Sequence, residues 1–311
     1  MTAPLSRANL IIMGSPGDKN ASEDRSWKGY ELLASGNGQR LEMWNSVTIL
    51  RPESEARWPW QNDQILPQPQ GYYSGDRAMG GTWSWKASLP EPWIVHRGSL
   101  SFLIKPTKSK HLGLFPEQDS NWDWVTNRIA SRDHHTAVPK VLNLFGYTGG
   151  ASLAAAAAGA SVTHVDSARA MVSWCSENAQ LSGLGNQAIR YIVEDSLTFL
   201  QREIRRGNFY DGLIMDPPTF GRGKKGELWK LSEHLPYLLN AAQEVLSEQP
   251  LFLLLNTYGS AIESFNEGMP ETTISKRLER IGGSCEVIKL GLEGTLDAMW
   301  IPCGTSYRWS P

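Results

Sequence analysis

The apolar positions after about Ser120 fall into short runs separated by segments with helical spacing. The runs are VLNLF (141–145), SVTHV (161–165), IRYIV (189–193), DGLIM (211–215) and LFLLLN (251–256). The intervening segments 149–159, 167–181 and 196–206 repeat apolar residues at the period of a helix. Fully apolar strands that alternate with helices predict a parallel sheet covered on both faces. We therefore expect an α/β fold whose ligands bind at the carboxyl ends of the strands.

The first part of the chain has a different pattern. The odd positions Leu41, Met43, Val47 and Ile49 alternate with polar residues and predict one strand, and residues 100–104 predict another. The stretch from residue 52 to residue 81 is rich in turn-forming residues. Residues 1–25 show no periodicity and predict a loose N-terminus. The expected domains are the loose N-terminus 1–25, a β-rich module 26–115 and an α/β domain 116–311.

Tryptophan is concentrated in the β-rich part: nine of the 13 tryptophans lie within the first 124 residues. Large aromatic rings dominate packing energy, so we expect most of them to fill a small β-rich core. The alternative is that some stack on a nucleobase or another flat substrate. The C-terminal run WIPCGTSYRW predicts the last strands of the sheet, with Trp300 and Trp309 packed.

Composition narrows the class of protein. The chain has 311 residues, 41% of them hydrophobic, with a mean hydropathy of −0.35 and a net charge of −2. No apolar run approaches the roughly 18–20 residues of a membrane span, and no secretory signal pattern is present. Three scattered cysteines predict neither a disulfide framework nor a zinc cluster, and they favour the reducing cytoplasm. We expect no metal site, interpret His134 and His135 as surface residues, and find no pattern that indicates an oligomeric state.

Glycines and one carboxylate follow the first two predicted strands. The sequence Phe145-Gly146-Tyr147-Thr148-Gly149-Gly150 allows a tight turn into a helix, whose first amides attract an anion. Asp166 follows 20 residues after Gly146, at the distance typical of a carboxylate that binds ribose hydroxyls. This pattern indicates an adenosine-type cofactor without distinguishing NAD from S-adenosylmethionine. A structural turn and a helix-terminal charge are the alternatives.

The third and fourth strands also end in chemically useful residues. Glu194-Asp195-Ser196 offers an acid for an adenine amino group, or simply a cap for the next helix. Asp216-Pro217-Pro218 follows the fourth strand, and two prolines force the chain out of the sheet in a rigid bend. We expect that bend to direct backbone carbonyls into the ligand crevice beside Asp216, an arrangement suited to orienting an amino or ring nitrogen.

These motifs resemble those of the class I S-adenosylmethionine-dependent methyltransferases over about residues 111–311. VLNLFGYTGGAS is similar to the family's glycine loop, HVDSA to its ribose-binding acid, VEDS to its adenine-side acid and DPPTF to its catalytic-strand motif. KHLGLFPEQ (110–118), the pair Trp174 and Asn178, and DPPTF more narrowly resemble the bacterial 23S ribosomal RNA large-subunit methyltransferase group. Several members carry an N-terminal PUA RNA-binding domain. We expect this chain to lack it, because too few residues precede the β-rich module.

The resemblance implies a Rossmann-like, seven-stranded class I methyltransferase domain with a smaller N-terminal β-rich module, and S-adenosyl-L-methionine as the cofactor. Catalytic residues are expected in the motif Asp216, Pro217 and Pro218. Cofactor-binding residues are expected at all four strand ends: Phe145, Gly146, Tyr147, Thr148, Gly149, Asp166, Asp195, Ser196 and Asp216.

The methylated atom is constrained by the cysteines. Methylation of a pyrimidine at carbon 5 needs a cysteine nucleophile, and in the resembling group that cysteine follows the fifth strand. Here the place reads LFLLLNTYGS, with Asn256, Thr257 and Tyr258. Cys175, Cys285 and Cys303 are expected to be small hydrophobic residues. We therefore predict methyl transfer to a heteroatom, with Asp216 holding the acceptor or taking its proton.

The acceptor itself is less constrained by sequence. Two basic clusters are candidates for phosphate contacts, or are ordinary solvated charges; they consist of Arg222, Lys224 and Lys225, and of Lys105, Lys108, Lys110 and His111. RNA is the leading expectation for the substrate. A methyltransferase acting on a protein or small molecule, and a nucleic-acid-binding module with a vestigial cofactor pocket, are the alternatives. A nicotinamide dehydrogenase is disfavoured by the glycine spacing and the Pro-Pro motif.

Overall fold

The structure is a computed structural model that describes residues 25–61, 66–76, 80–132, 137–185, 188–222, 228–258 and 274–311. The strands before the first helix are β1 (Trp27–Lys28), β2 (Tyr30–Gly36), β3 (Gln39–Trp44), β4 (Val47–Pro52), β5 (Gly71–Asp76), β6 (Gly80–Trp85), β7 (Ile94–Arg97) and β8 (Leu100–Leu103). A short 3₁₀ helix (Pro116–Gln118) and α1 (Asp119–Ala130) follow.

The rest of the chain alternates between strands and helices over most of its length. Its elements are β9 (Lys140–Leu144), α2 (Gly150–Ala157), β10 (Ser161–Asp166), α3 (Arg169–Leu181), β11 (Ile189–Val193), α4 (Ser196–Arg206), β12 (Gly212–Met215), β13 (Phe220–Arg222), β14 (Leu228–Lys230), α5 (Leu231–Glu244), β15 (Phe252–Thr257), α6 (Ile274–Glu279), β16 (Ser284–Glu293) and β17 (Trp300–Ser310).

The main sheet has seven strands in the order β11-β10-β9-β12-β15-β17-β16. Strands β9, β10, β11, β12 and β15 pair in parallel, whereas β17 pairs antiparallel with both β15 and β16. The α/β expectation is confirmed. The five apolar runs form the five parallel strands because both faces of this sheet are covered by helices.

Two hydrophobic cores lie on opposite faces of the main sheet. One contains residues of α4, α5 and α6, such as Phe199, Leu239 and Leu278. The other contains residues of α1 and α2 together with the N-terminal strands, such as Trp122, Leu153 and Phe102. The N-terminal strands therefore pack directly against the helices that cover one face of the main sheet.

The N-terminal strands form a three-stranded sheet, β1-β7-β8, and a five-stranded sheet, β2-β3-β4-β5-β6. Two sequence predictions need correction here. The single strand expected from Leu41 to Ile49 is a hairpin of β3 and β4, with Asn45 at its turn in a left-handed conformation (φ 57°). The turn-rich stretch 52–81 contains β5 and the first residues of β6.

Most of the tryptophans have the structural role that was expected. Trp44 and Trp93 are buried in the N-terminal core, and the indole Nε1 of Trp93 donates to the carbonyl of Trp44 over 2.8 Å. Trp122 of α1 packs between Trp27 and Phe102. At the C-terminus Trp309 is 1% exposed, but Trp300 is 45% exposed, so the prediction that both are packed is wrong for Trp300.

No described helix is both long and apolar enough to cross a membrane. No group of three or more potential metal ligands occurs among the residues that the structure describes. His134 and His135 and the predicted loose segment up to residue 24 lie outside the described residues.

Candidate functional site

A cleft of about 470 Å³ opens at the carboxyl ends of the parallel strands. Its walls come from the ends of β9, β12 and β15, from the loop and first turn 145–151, and from residues 114–122. Phe145, Gly146, Tyr147, Thr148 and Asp216 are the predicted site residues that line it. Gly149, Asp166, Asp195, Ser196, Pro217 and Pro218 are not part of the lining.

The glycine loop is an unusually constrained turn. Phe145 (φ 57°), Tyr147 (φ 51°) and Gly149 (φ 94°) all have positive φ, which non-glycine residues rarely adopt. Gly146 lies against the ring of His164, where a Cβ atom would come within 3.0 Å of it. The glycine at 146 is therefore required by close packing, and the two aromatic residues with positive φ mark stored strain at a ligand-binding turn.

The loop leads into α2, which begins at Gly150 after Gly149 as the N-cap. No side chain caps this helix, so its first amide groups have no side-chain partner. The first turn of the helix is also part of the cleft wall. Unsatisfied amides at a helix N-terminus attract carboxylates and phosphates.

Asp166 is already oriented by the backbone. Its carboxylate accepts hydrogen bonds from the amides of Tyr147 (2.9 Å) and Ala168 (2.8 Å). Burial raises the pKa of Asp166 above its usual range, and these two bonds oppose that shift. Asp166 therefore joins the end of β10 to the glycine loop.

Asp195 has a local structural role. Its Oδ1 accepts hydrogen bonds from the amide (2.8 Å) and the hydroxyl (2.9 Å) of Thr198, so it is the N-cap of α4. Ser196 is the first residue of that helix and is 3% exposed. Of the two roles expected for Asp195, an adenine contact or a helix cap, the structure contains the helix cap.

Asp216 is the acidic group in the cleft. Its Oδ1 accepts a hydrogen bond from the hydroxyl of Tyr258 over 2.6 Å. Burial raises the pKa of Asp216 to about 6, and the negative charge of Glu117 adds to this, whereas the hydrogen bonds from Tyr258 and Asn256 lower it. A carboxylate with a pKa close to neutrality is suited to accepting a proton.

The Pro-Pro bend differs from the expectation. Pro217 is buried and Pro218 is exposed, and neither lines the cleft. The carbonyl of Pro218 accepts a hydrogen bond from Nε1 of Trp229 over 2.7 Å. It therefore anchors β14 rather than pointing into the crevice, because the indole of Trp229 packs back over Phe145.

A polar network behind Asp216 was not predicted from the sequence. Gln118, Asn121 and Asn256 are buried and exchange side-chain hydrogen bonds of 2.7–3.1 Å. The hydroxyl of Ser306 of β17 lies 2.9 Å from Oδ1 of Asn121 and 2.7 Å from Oδ1 of Asn256, and its one proton is directed at these two acceptors. The available signal was Asn256 at the end of an apolar strand, since a buried amide side chain needs a polar partner.

The pair Trp174 and Asn178 joins the N-terminal strands to the glycine loop. The side chain of Asn178 accepts from the amide of Leu103 (2.8 Å) and donates to the carbonyl of Thr148 (2.9 Å). Nε1 of Trp174 donates to the carbonyl of Leu103 over 3.0 Å, and Thr148 donates through its hydroxyl to the carbonyl of Gly113. These contacts fix the loop from the side of β8.

None of the three cysteines lines the cleft. Cys175 is fully buried beneath Gly149, and Cys285 and Cys303 lie on β16 and β17. Burial raises the pKa of each thiol, that of Cys285 to about 12. A thiol that stays protonated is a poor nucleophile.

The second basic cluster is largely engaged within the protein. Lys105 forms an ion pair with Glu177 over 2.6 Å, and the ammonium of Lys110 donates to the carbonyl of Pro52 over 2.9 Å. His111 packs on Phe115, and burial together with neighbouring cations lowers its pKa to about 3. The side chain of Arg222, and Lys224 and Lys225, lie outside the described residues.

Sheet order and site together define a class of enzyme. Three of the five parallel strands end at one cleft, a glycine turn enters a helix there, and a carboxylate follows the second strand, as in nucleoside-cofactor enzymes with open α/β sheets. The chain belongs to the S-adenosylmethionine-dependent methyltransferases: its sequence matches this family over residues 69–249, more than half of its length.

Individual relatives agree with the family. The crystal structure of the SAM dependent methyltransferase from Agrobacterium tumefaciens is similar with a TM-score of 0.81 and 38% identity, covering 91% of both chains. Ribosomal RNA large subunit methyltransferase K/L of Pseudoalteromonas atlantica is 34% identical over 152 residues, which are 48% of this chain and only 20% of that protein. Ribosomal RNA large subunit methyltransferase K of Neisseria meningitidis is 24% identical over 251 residues, 77% of this chain and 69% of that protein.

The residues of the cleft suit S-adenosylmethionine. Asp166, which is bonded to the glycine loop through the amide of Tyr147, offers a carboxylate for ribose hydroxyls, and the start of α2 offers amides for the carboxylate of the amino-acid part. Aromatic side chains of Phe115, Phe145 and Tyr147 provide flat apolar contacts.

Proposed function

We propose that this methyltransferase transfers the methyl group to a nitrogen or oxygen atom of an RNA base, with large-subunit ribosomal RNA as the acceptor. The carrying observation is Asp216, a hydrogen-bonded carboxylate with a pKa near 6 in a cleft that no described thiol lines. Support for RNA comes from the names of the relatives. Such an acceptor also agrees with the cytoplasmic location that the cysteine content predicts.

The roles of the site residues follow from their contacts. We propose that Phe145 to Gly149 and Asp166 hold the donor, with the loop supplying amides and Asp166 accepting from the ribose. Asp195 and Ser196 are proposed at the adenine end, where Asp195 also caps α4. When bound, S-adenosylmethionine supplies a methyl group activated by its sulfonium, so the protein has mainly to position the reactants.

Asp216 is proposed to contact the acceptor. Its carboxylate is held by Tyr258 at the end of β15, and it is suited to orienting an N–H or O–H group and taking its proton as charge develops. We propose that Pro217 and Pro218 act indirectly by holding the chain after Asp216 rigid. A domain boundary at 115/116 is also proposed, since the eight N-terminal strands end at Leu103 and the main sheet begins at Lys140.

The test is to incubate the protein with radiolabelled S-adenosylmethionine and three acceptors: an unmodified large-subunit ribosomal RNA transcript, a protein extract and a small-molecule extract. We expect label in the RNA, and D216A to reduce turnover by about 10²–10⁴ while sparing most of the donor affinity. Label confined to protein or small molecules contradicts the RNA proposal.

The methylated atom needs a separate test. An RNA containing 5-fluoropyrimidines traps an enzyme that attacks its base through cysteine as a covalent adduct. We expect no adduct, and we expect replacement of Cys175, Cys285 and Cys303 together by alanine or serine to leave turnover within a few-fold. A trapped complex, or a folded but inactive cysteine-free protein, contradicts heteroatom methylation.

A further inference from the structure

We propose that Tyr258 is a positioning residue for methyl transfer, which holds Asp216 in its charged form and in the orientation that meets the acceptor. This inference rests on the proposed function, because it takes Asp216 as the group in contact with the acceptor. It adds a residue to which none of the sequence motifs assigns a role.

The direction of the hydrogen bonds leaves Tyr258 one arrangement. Its hydroxyl lies 2.6 Å from Oδ1 of Asp216 and 3.0 Å from Nε2 of Gln118. An amide nitrogen only donates, and a phenol has a single proton. The phenol therefore accepts from Gln118 and gives its own proton to Asp216.

Gln118 is itself held in one orientation. Its side-chain oxygen accepts from Nδ2 of Asn121 (2.7 Å) and from Nδ2 of Asn256 (3.1 Å). Exchanging the oxygen and nitrogen of the Gln118 amide would place donors against donors. The chain of bonds from Gln118 through Tyr258 to Asp216 thus has a fixed direction, with the buried amides as its source.

The position of Tyr258 is fixed at a second point. Its backbone carbonyl accepts from the hydroxyl of Thr219 over 3.2 Å, just after the Pro-Pro bend. Its ring packs beside Gly304, where a Cβ atom would come within 3.0 Å of the ring. Tyr258 therefore contacts the catalytic-strand motif on both sides of the prolines, which suits a residue that sets the position of Asp216.

The surrounding charges show what the tyrosine hydroxyl contributes. Burial and the negative charge of Glu117 raise the pKa of Asp216, whereas hydrogen bonds from Tyr258 and Asn256 lower it. Tyr258 stays neutral, because burial and the nearby carboxylate of Asp216 raise its own pKa well above its usual value. Loss of the hydroxyl leaves burial and Glu117 opposed mainly by Asn256.

The first experiment needs no substrate. The free energy of unfolding is measured from pH 4 to pH 9 for the wild-type protein, D216N, Y258F and the double variant. Two differences in the free energy of unfolding are compared: D216N against wild type, and the double variant against Y258F. Each difference grows with pH until Asp216 of the folded protein is ionised. We expect this growth to end near pH 6 in the wild-type background. In the Y258F background it should end about one to two pH units higher, the equivalent of one hydrogen bond to a charged group.

Y210F is the matched control. Tyr210 is also a buried tyrosine that donates to a carboxylate, that of Glu203 over 2.8 Å, but it lies at the opposite end of the main sheet from the cleft. We expect Y210F to lower the stability without moving the titration of Asp216. An end point unchanged by Y258F, or moved equally by Y210F, overturns the proposal.

The second experiment measures the pH profile of kcat/KM with an unmodified large-subunit ribosomal RNA transcript. We expect Y258F to move the acid limb upward by the interval found in the stability measurement, with the donor Kd within about twofold of wild type. If Y258F moves the titration of Asp216 but leaves the acid limb of the kcat/KM profile unchanged, Tyr258 has no role in the reaction and the proposal is overturned. If the wild-type protein methylates another acceptor instead, the RNA proposal fails, and the same profile with that acceptor decides the role of Tyr258.

Discussion

Asp166 is held by two backbone amides, which orient its carboxylate. We predict that D166A weakens S-adenosylmethionine binding by about 1.5–3 kcal/mol, the range for a hydrogen bond to a charged group. Calorimetric titration with S-adenosylmethionine and with NAD measures this. Equal donor affinity in the variant, or tighter binding of NAD, would contradict the assigned role.

Asp195 offers a comparison at the neighbouring strand end. Because it caps α4 through Thr198, D195A should lower the free energy of unfolding by about 0.5–2 kcal/mol. The same variant, titrated with S-adenosylmethionine, separates a cap from a ligand contact: a lower stability with unchanged donor affinity removes Asp195 from the proposed binding residues.

Asp216 is expected to cost stability at neutral pH. Its folded-state pKa of about 6 lies above the ordinary value of 3.8, so the fold favours the protonated form. Stability is full below about pH 4 and is lost as the pH rises through about 6. We predict that D216N raises the free energy of unfolding by about 1–3 kcal/mol at pH 8 and by almost nothing at pH 4. Denaturant melts at the two pH values check this, and an equal effect at both would show that the carboxylate is not destabilised.

At the scale of elements, helix α3 connects the N-terminal strands with the glycine loop through the side chain of Asn178. We predict that N178A lowers the free energy of unfolding by about 1–3 kcal/mol, because the backbone amide of Leu103 and the buried carbonyl of Thr148 each lose a hydrogen-bond partner. It should also weaken donor binding, since the carbonyl of Thr148 loses its anchor. Urea unfolding and donor titration measure the two effects.

The matched control is E177A, one residue earlier on the same helix. Glu177 joins the same two parts of the chain through an exposed ion pair with Lys105. Exposed pairs contribute about 0–1 kcal/mol, so this variant should resemble wild type. If E177A and N178A had equal effects, the buried amide would not be the element that fixes the loop.

The elements also show how far sequence reasoning extends. The five parallel strands were predicted because each is apolar on both faces and is followed by a helix. The hairpin of β3 and β4 was missed because apolar residues continue at odd positions on both sides of Asn45 and Ser46. In the hairpin the odd positions of β4 lie opposite even positions of β3, so that Val47 pairs with Trp44 and Ile49 pairs with Glu42. Only the turn-forming Asn45 was available as a signal.

That a cleft opens at the strand ends was predictable, since the parallel topology brings these ends together. The network behind Asp216 was not, because Gln118 and Tyr258 are 140 positions apart and no sequence pattern links them. Their pairing depends on β15 and the 3₁₀ helix meeting in three dimensions. The predicted role of the Pro218 carbonyl was wrong for a similar reason: its partner, Trp229, is supplied by a later hairpin.

For the whole molecule, buried histidines lower the stability as the pH falls from 6.5 to 4, in the direction opposite to the effect of Asp216. Burial lowers the pKa of His164 to about 4, so the folded protein keeps this imidazole neutral while the unfolded chain is protonated near pH 6.5. Stability is therefore full above pH 6.5 and is lost as the pH falls to about 4, by about 3 kcal/mol for this residue. His111 acts in the same direction.

H164N tests this, because an asparagine retains a polar partner for Ser152, which lies 2.9 Å from Nδ1 of His164. We predict that the stability of the variant falls less steeply than that of wild type between pH 6.5 and 4, although its stability at pH 8 is lower. Parallel unfolding curves across that range would contradict a neutral, buried His164.

The order of the segments along the chain determines the order in which the parts of the site are synthesised. The glycine loop and Asp166 belong to the first strands of the main sheet, whereas Ser306 and Arg308 of β17 supply the last bonds to Asn121 and Asn256 behind Asp216. A ribosome makes the donor side of the cleft long before it makes β17. A growing chain therefore contains the glycine loop and Asp166 while the residues of β17 that bond to Asn121 and Asn256 are still missing, and the network behind Asp216 is completed only once β17 has paired with β15.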